Sequence, residues 1–212
     1  MVQGMDVLPQ PPAAAEPAAC AQWARALIEH RQTILPKQLA EPGPDAGQLE
    51  MILRAAAAAP DHGELVPWRF VIVPAAARAR LAQVFADALL ERDPSAAPDQ
   101  IARAREKAFR APALMLAVVR DGPPGDEIPL LERLISAGCA IQNMLLMATA
   151  LGFGSALTGG KALHSTGLRA LFSLADEERA ICFVSLGTAV RRSPGRERPQ
   201  PSRYVSILSP DP

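Results

Sequence analysis

The chain has 212 residues, a length that suits one domain, and 49% of them are hydrophobic, enough for a substantial core. Its 22 basic residues balance 22 acidic ones, so no overall field draws it to nucleic acid or to an anionic membrane. Every functional charge must therefore be local.

Aromatic residues are scarce at 4%, whereas alanine is plentiful, which favours close helix packing over a sandwich of short strands. Cys20, Cys139 and Cys182 are odd in number and form no C-x-x-C pair, which argues against a disulfide framework or a zinc site. Cys139 and Cys182 lie in apolar runs and read as small core residues.

Residues 1–19 are rich in Ala and Pro and lack a basic start and an apolar stretch. They read as a disordered tail and not as a signal peptide. Residues 20–212 read as one domain. Residues 21–30 predict a first helix, followed by a loop over 31–44 with three prolines. Asp45 and Gln48 have the spacing of a capping box. Leu49, Ile52, Leu53 and Ala56 then mark one buried helical face, ended by Pro60.

The apolar run Phe70-Val71-Ile72-Val73 predicts a strand over 67–73 covered on both faces. Leu81, Val84, Phe85, Ala88 and Leu89 give a third helix, and 99–109 a fourth. A buried strand is expected over 113–119. A long helix over about 130–151 is apolar nearly all round, which predicts a central, surrounded helix and not a membrane span. A short strand at 153–157, a turn at Thr158-Gly159-Gly160, a helix at 168–174 and a strong strand at 181–186 follow. The basic, proline-rich tail from 191 ends in Val205-Ser206-Ile207-Leu208, a candidate last strand. The order is that of a mixed α+β domain, a sheet covered by helices. The chain is expected to be soluble and cytoplasmic.

Gly152-Phe153-Gly154-Ser155-Ala156-Leu157 starts like a dinucleotide fingerprint. It follows a helix and ends in Leu, which excludes that reading. There is no P-loop. His30, His62 and His164 show no metal-ligand spacing. His62 stands in Ala59-Pro60-Asp61-His62-Gly63, between a helix end and a strand, where binding residues concentrate. The paired glycines at 159 and 160 allow a ligand close to the backbone.

These segments together resemble the nitroreductase family. The resemblance runs through Leu49-x-x-Ile52-Leu53-Arg54-Ala55-Ala56, Ala59-Pro60-Asp61-His62 and Pro67-Trp68-Arg69-Phe70-Val71-Ile72. It continues through Ser136-Ala137-Gly138-Cys139-Ala140-Ile141-Gln142-Asn143, Ala150-Leu151-Gly152-Phe153-Gly154 and Val184-Ser185-Leu186-Gly187-Thr188. It covers about residues 25–208. The Pro-Asp-His form is similar to a small NAD(P)H nitroreductase subgroup.

The resemblance implies a nitroreductase-like α+β fold with a central, mostly antiparallel sheet. It implies a homodimer with flavin mononucleotide (FMN) at its interface, NADH or NADPH as donor and a small-molecule acceptor such as a nitroaromatic or quinone. Flavin N5 would carry the hydride, so no catalytic side chain and no metal are expected. The residues matching the family's flavin contacts are Arg31, Gln32 and Thr33, then Pro60, Asp61 and His62, then Leu157, Thr158 and Gly159, with Arg198 in the tail ahead of Arg196. The phosphate would take Arg31, Thr33 and Arg198, because a dianion wants Arg and N–H donors. Departures stand at Gln32, Ala58, Glu64 and Val66, where family contacts are replaced. They keep a non-catalytic flavin carrier or sensor as the alternative. A hydrolase using His62 and Ser155 is the other enzyme class considered.

Overall fold

The computed structural model describes residues 17–123, 125–192 and 197–209. Helix α1 spans Pro17–His30, so the last three residues assigned to the tail, 17–19, are helical; residues 1–16 lie outside the described residues. A two-residue strand β1, Leu39–Ala40, sits in the proline-rich loop. Helix α2 is Ala46–Ala56. Its capping box forms as expected: Asp45 Oδ1 accepts from Gln48 N at 2.8 Å, and Gln48 Oε1 from Asp45 N at 3.0 Å. Such a cap is worth about 1 kcal/mol.

Strand β2 (Trp68–Ile72) is followed by helices α3 (Arg78–Arg92) and α4 (Pro98–Glu106) and by strand β3 (Ala113–Arg120). Helix α5 is Leu130–Ala150 and β4 is Gly154–Thr158. Helix α6 is Thr166–Leu171 and β5 is Glu178–Ala189. The sheet runs β1-β5-β3-β2, with β4 also paired to β5, and every strand pairing is antiparallel.

Strand β3 explains the layering. Its side chains alternate between faces, and both faces are buried. Met115, Ala117 and Val119 join one core with α2 and α5; Leu114, Leu116 and Val118 join a second with α3 and α6. Strand β2 differs from expectation. It lies at the sheet edge, leaving Phe70 and Val71 half-buried and Ile72 exposed.

Helix α5 also departs from the surrounded helix that its composition suggests. Ala137, Ala140, Ile141, Met144 and Ala148 are buried, but Leu131 and Ile135 are 67% and 59% exposed. By length and composition it could cross a membrane, yet its inner face packs against α2 and the sheet. The candidate strand at 205–208 is not a strand. Those residues carry no regular structure, and Ile207 and Leu208 stand almost fully exposed, because no sheet edge of this chain receives them.

One ion pair ties the sheet across β3. Arg69 Nε and Nη2 donate to Glu178 Oε1 and Oε2 at 2.6 and 2.7 Å, and Ala175 N donates to Oε2 at 3.1 Å. The Arg69 hydrogen bonds hold the Glu178 carboxyl below the ordinary glutamate range, against the opposing effect of its burial. A depressed carboxylate stabilises the fold above its unfolded pKa, about 4.3, and that contribution disappears as pH falls through the folded value. Glu178→Gln is therefore expected to cost roughly 1–2 kcal/mol at pH 7, allowing for the partly exposed Arg69. The gap from the parent should close below about pH 4 in urea titrations. A gap that persists unchanged in acid contradicts the charge-based account.

Candidate functional site

A cavity of about 760 Å³ opens between α3, α4, β5 and the segment after β4. Its apolar wall is Phe85, Leu89, Leu114, Leu163 and Phe183. Phe85 and Phe183 meet edge to face, with centroids 5.6 Å apart, which gives that wall a fixed aromatic surface. Its polar wall carries six cations, Lys37, Arg92, Arg103, Lys107, Arg110 and Lys161, and no carboxylate. Arg110 Nη2 reaches Glu106 at 3.4 Å and its buried Nε has no partner. The other five form no ion pair among the described residues.

The backbone brings two expected segments to this cavity. Antiparallel pairing of Thr158 with Phe183 ends β4 at the rim, so Thr158, Gly159 and Gly160 line it. The early loop arrives alongside. Thr33 bridges Ser155 in parallel, Ile34 N donates to Ser155 O at 2.9 Å, and Leu35, Pro36 and Lys37 follow into the cavity wall. Gly154 permits this approach: a Cβ there would meet Leu39 Cδ2 at 2.8 Å and Ile34 Cγ1 at 3.0 Å.

The tail closes on the same corner. Arg198 Nη2 donates to Arg31 O at 3.3 Å, and Arg192 Nη1 lies 3.3 Å from His30 Nε2. Arg31, Thr33 and Arg198 thus gather beside β4, although they do not line the cavity. Gln32 is half-buried next to them, and Leu157 on β4 is 44% exposed. Arg196, the second choice in the tail, lies outside the described residues.

The Pro60-Asp61-His62 loop stands apart from this cavity. His62 Nδ1 lies 2.7 Å from Glu132 Oε2 at the start of α5. Asp61 Oδ2 accepts from Val66 N at 2.6 Å and borders a second cavity of about 300 Å³ with Trp68, Arg69 and Phe70. Pro60 is exposed. Three residues of the loop have positive φ: Gly63 at 72°, Glu64 at 51° and Val66 at 44°. A β-branched residue there is strained by about 1–3 kcal/mol. Val66 is 59% exposed and loses little packing on truncation. Val66→Gly is thus expected to raise stability by about 1 kcal/mol, after glycine's own entropic cost. An unchanged or lower melting temperature would show that the loop is not strained.

The alternative chemistries find no support here. Ser155 Oγ is buried without a hydrogen-bond partner while His62 is engaged by Glu132, so these two form no nucleophile–base pair. Burial pushes the Cys182 thiol up to about 11, so it stays protonated at neutral pH and unsuited to attack.

The six cavity cations are absent from the sequence-level site. One signal for them exists: Arg103, Lys107 and Arg110 are spaced four and three apart, the interval that aligns side chains on one helical face.

Residues 28–188 match the model of the nitroreductase family. The chain belongs to this family. A Haemophilus influenzae protein named "Putative NAD(P)H nitroreductase" is 34% identical over 74% of the chain and 84% of its own length. The Escherichia coli K12 protein "Putative NAD(P)H nitroreductase YdjA" is 35% identical over 82% of the chain and 88% of its own length. Among solved structures, a nitroreductase-like family protein from Bacillus cereus superposes with a TM-score of 0.76 at 17% identity, covering 87% of this chain and 95% of that one. The FMN and NADPH-dependent nitroreductase NfnB from sphigopyxis sp. strain HMH gives 0.69 at 16% identity, over 88% and 99%. The fold is the nitroreductase fold, an α+β domain around an antiparallel sheet.

Proposed function

We propose that the chain, an oxidoreductase by family, binds FMN and passes hydride from NADH or NADPH to a nitroaromatic, quinone or similar small acceptor, working as a homodimer. The observation that carries this reading is the cavity beside Thr158–Gly160, lined by aromatic side chains and by six cations, five of them without an ion pair among the described residues. Such a donor set suits a phosphorylated aromatic ring system. When bound, FMN supplies the hydride-accepting and hydride-donating centre at its ring nitrogen.

This chain's own groups then bind, orient and exclude water. The backbone of Thr158–Gly160 offers hydrogen bonds to a ring edge, and the paired glycines keep side chains out of its way. Arg31, Thr33 and Arg198 hold the phosphate in this reading, which their gathering beside β4 supports. A cation from the wall, with Lys107 our choice, stabilises negative charge on the reduced ring. The aromatic wall excludes water from the ring's face. For a nitro acceptor the exchange balances as ArNO₂ + NAD(P)H + H⁺ giving ArNO + NAD(P)⁺ + H₂O.

The Pro60-Asp61-His62 loop does not reach this cavity in its own chain. A partner subunit in the proposed dimer supplies it, which is why the expected contacts fall in separate places here. Either NADH or NADPH serves as donor, since both carry the same nicotinamide.

Purified protein is expected to be yellow or to become so with FMN. At about 100 times Kd, FMN should add roughly 2.7 kcal/mol to stability, read as a rise in melting temperature. Anaerobic NADH or NADPH should then bleach the colour. A colourless protein whose melting temperature ignores FMN ends this proposal.

A further inference from the structure

Resting on the flavin reading above, we infer that the acceptor this cavity selects is an anionic aromatic, one bearing a carboxylate, sulfonate or phosphate group. The argument is a comparison of charges. The whole chain is neutral, yet six of its 22 basic side chains line one cavity that, among the described residues, no acidic side chain lines. Like charges gathered in one concave wall repel one another, and the low-dielectric wall behind them strengthens that field.

FMN does not use up this charge. Its phosphate brings at most about two negative charges, and the proposed function assigns these to Arg31 and Arg198, which meet each other outside the cavity lining. The reduced ring adds one more and takes one cation. Arg92 on α3, Arg103 on α4 and Lys161 after β4 are left facing the same space. Among the described residues, the one carboxylate paired with the cluster is Glu106, on Arg110 at 3.4 Å, and its side chain is 62% exposed.

The apolar lining fixes the rest of the ligand's chemistry. Phe85, Leu89, Leu114 and Phe183 seat the flavin ring of the proposed function, whose free face is then the second wall and accepts a flat ring but no large polar body. A ligand that is flat and apolar at one end and anionic at the other satisfies both walls. A neutral nitroaromatic satisfies only one, and leaves the cations solvated.

The test compares 4-nitrobenzoate with 4-nitrobenzamide, which share shape and differ in charge. Both are titrated calorimetrically into full-length, FMN-loaded protein at low and high salt, and kcat/KM is measured for each. The carboxylate is expected to bind at least tenfold more tightly, with the advantage shrinking as salt rises. Arg103 is exposed, so Arg103→Gln leaves the fold intact. That variant should reduce the carboxylate's advantage severalfold in Kd and in kcat/KM, and Arg92→Gln should repeat the effect. Equal affinities for the two ligands overturn the inference, as does an advantage unchanged in an Arg92→Gln/Arg103→Gln double variant. A yellow protein without preference sinks anion selection alone. A protein that ignores FMN yet prefers nitrobenzoate sinks the flavin reading and leaves anion selection standing.

Discussion

Replacing Arg78 with alanine is expected to cost about 3–5 kcal/mol, a large share of the stability of a domain this size. Arg78 begins α3 and is only 6% exposed. Its guanidinium donates to four backbone carbonyls: Val73 at 3.0 Å, Ala108 at 2.7 Å, Ala111 at 3.2 Å and Pro112 at 3.1 Å. Burial alone lowers its pKa, and no carboxylate compensates, so these carbonyls are what keep the charge tolerable. Truncation leaves all four without this donor, each at a desolvation cost of about 1–3 kcal/mol when no water enters.

The same substitution reaches the cavity. Ala108, Ala111 and Pro112 flank Lys107 and Arg110, which lie in the cationic wall. Arg78 therefore sets where that wall stands relative to β3. Arg78→Lys, a single ammonium without the planar fork, should recover less than half of the loss. Urea unfolding measures both variants. A loss under about 1 kcal/mol for Arg78→Ala would mean the segment 108–112 is held by packing instead.

What could be read from sequence and what could not follow one physical division. Local rules were sufficient where one segment decides the outcome. The Asp45–Gln48 cap, the α2 face through Ile52 and Ala56, and the buried run of β3 all depend on spacing alone, and all form. Exposure at an edge is not local. Phe70-Val71-Ile72 has the composition of a fully buried strand, but β2 has a partner on one side only. Val205–Leu208 has the composition of a strand and finds no strand partner among the described residues.

The site divides the same way. Thr158 and Gly159 line the cavity because β4 pairs with β5 and ends at its rim. Arg31 and Arg198, 167 positions apart, meet through a backbone carbonyl. The cations around α4 do not stand out in the sequence, because a short segment carrying Arg103, Arg105, Glu106 and Lys107 has the pattern of an ordinary solvated face. Only the fold shows that Arg103 and Lys107 turn toward the same space as Lys37 and Lys161.

Ending the chain at Val190 is expected to abolish both the proposed dimer and high-affinity flavin binding. The cut belongs after Val190, because β5 continues to Ala189 and pairs with β1 through Thr188 and Ala189. Val190 N also donates to Gln38 O at 2.9 Å, so the shortened chain keeps its sheet complete. What it loses is the arm bearing Arg198 and the apolar group Tyr204, Val205, Ile207 and Leu208, all more than half exposed. Apolar side chains this open gain most by packing on a neighbour, and Leu131 and Ile135 on α5 offer an equally open face. An obligate interface built from such surfaces buries upwards of about 2,000 Å². The shortened protein should sediment as a monomer and bind FMN at least about 100-fold more weakly, since it would lack both the proposed phosphate contact from the arm and the Pro60-Asp61-His62 loop that the proposed dimer brings. Arg198→Ala alone should keep the dimer and lose about tenfold in FMN affinity, the worth of one charge-assisted hydrogen bond. A shortened monomer that binds FMN with the affinity of the full chain would place the whole flavin site within one subunit and remove the reason for the dimer.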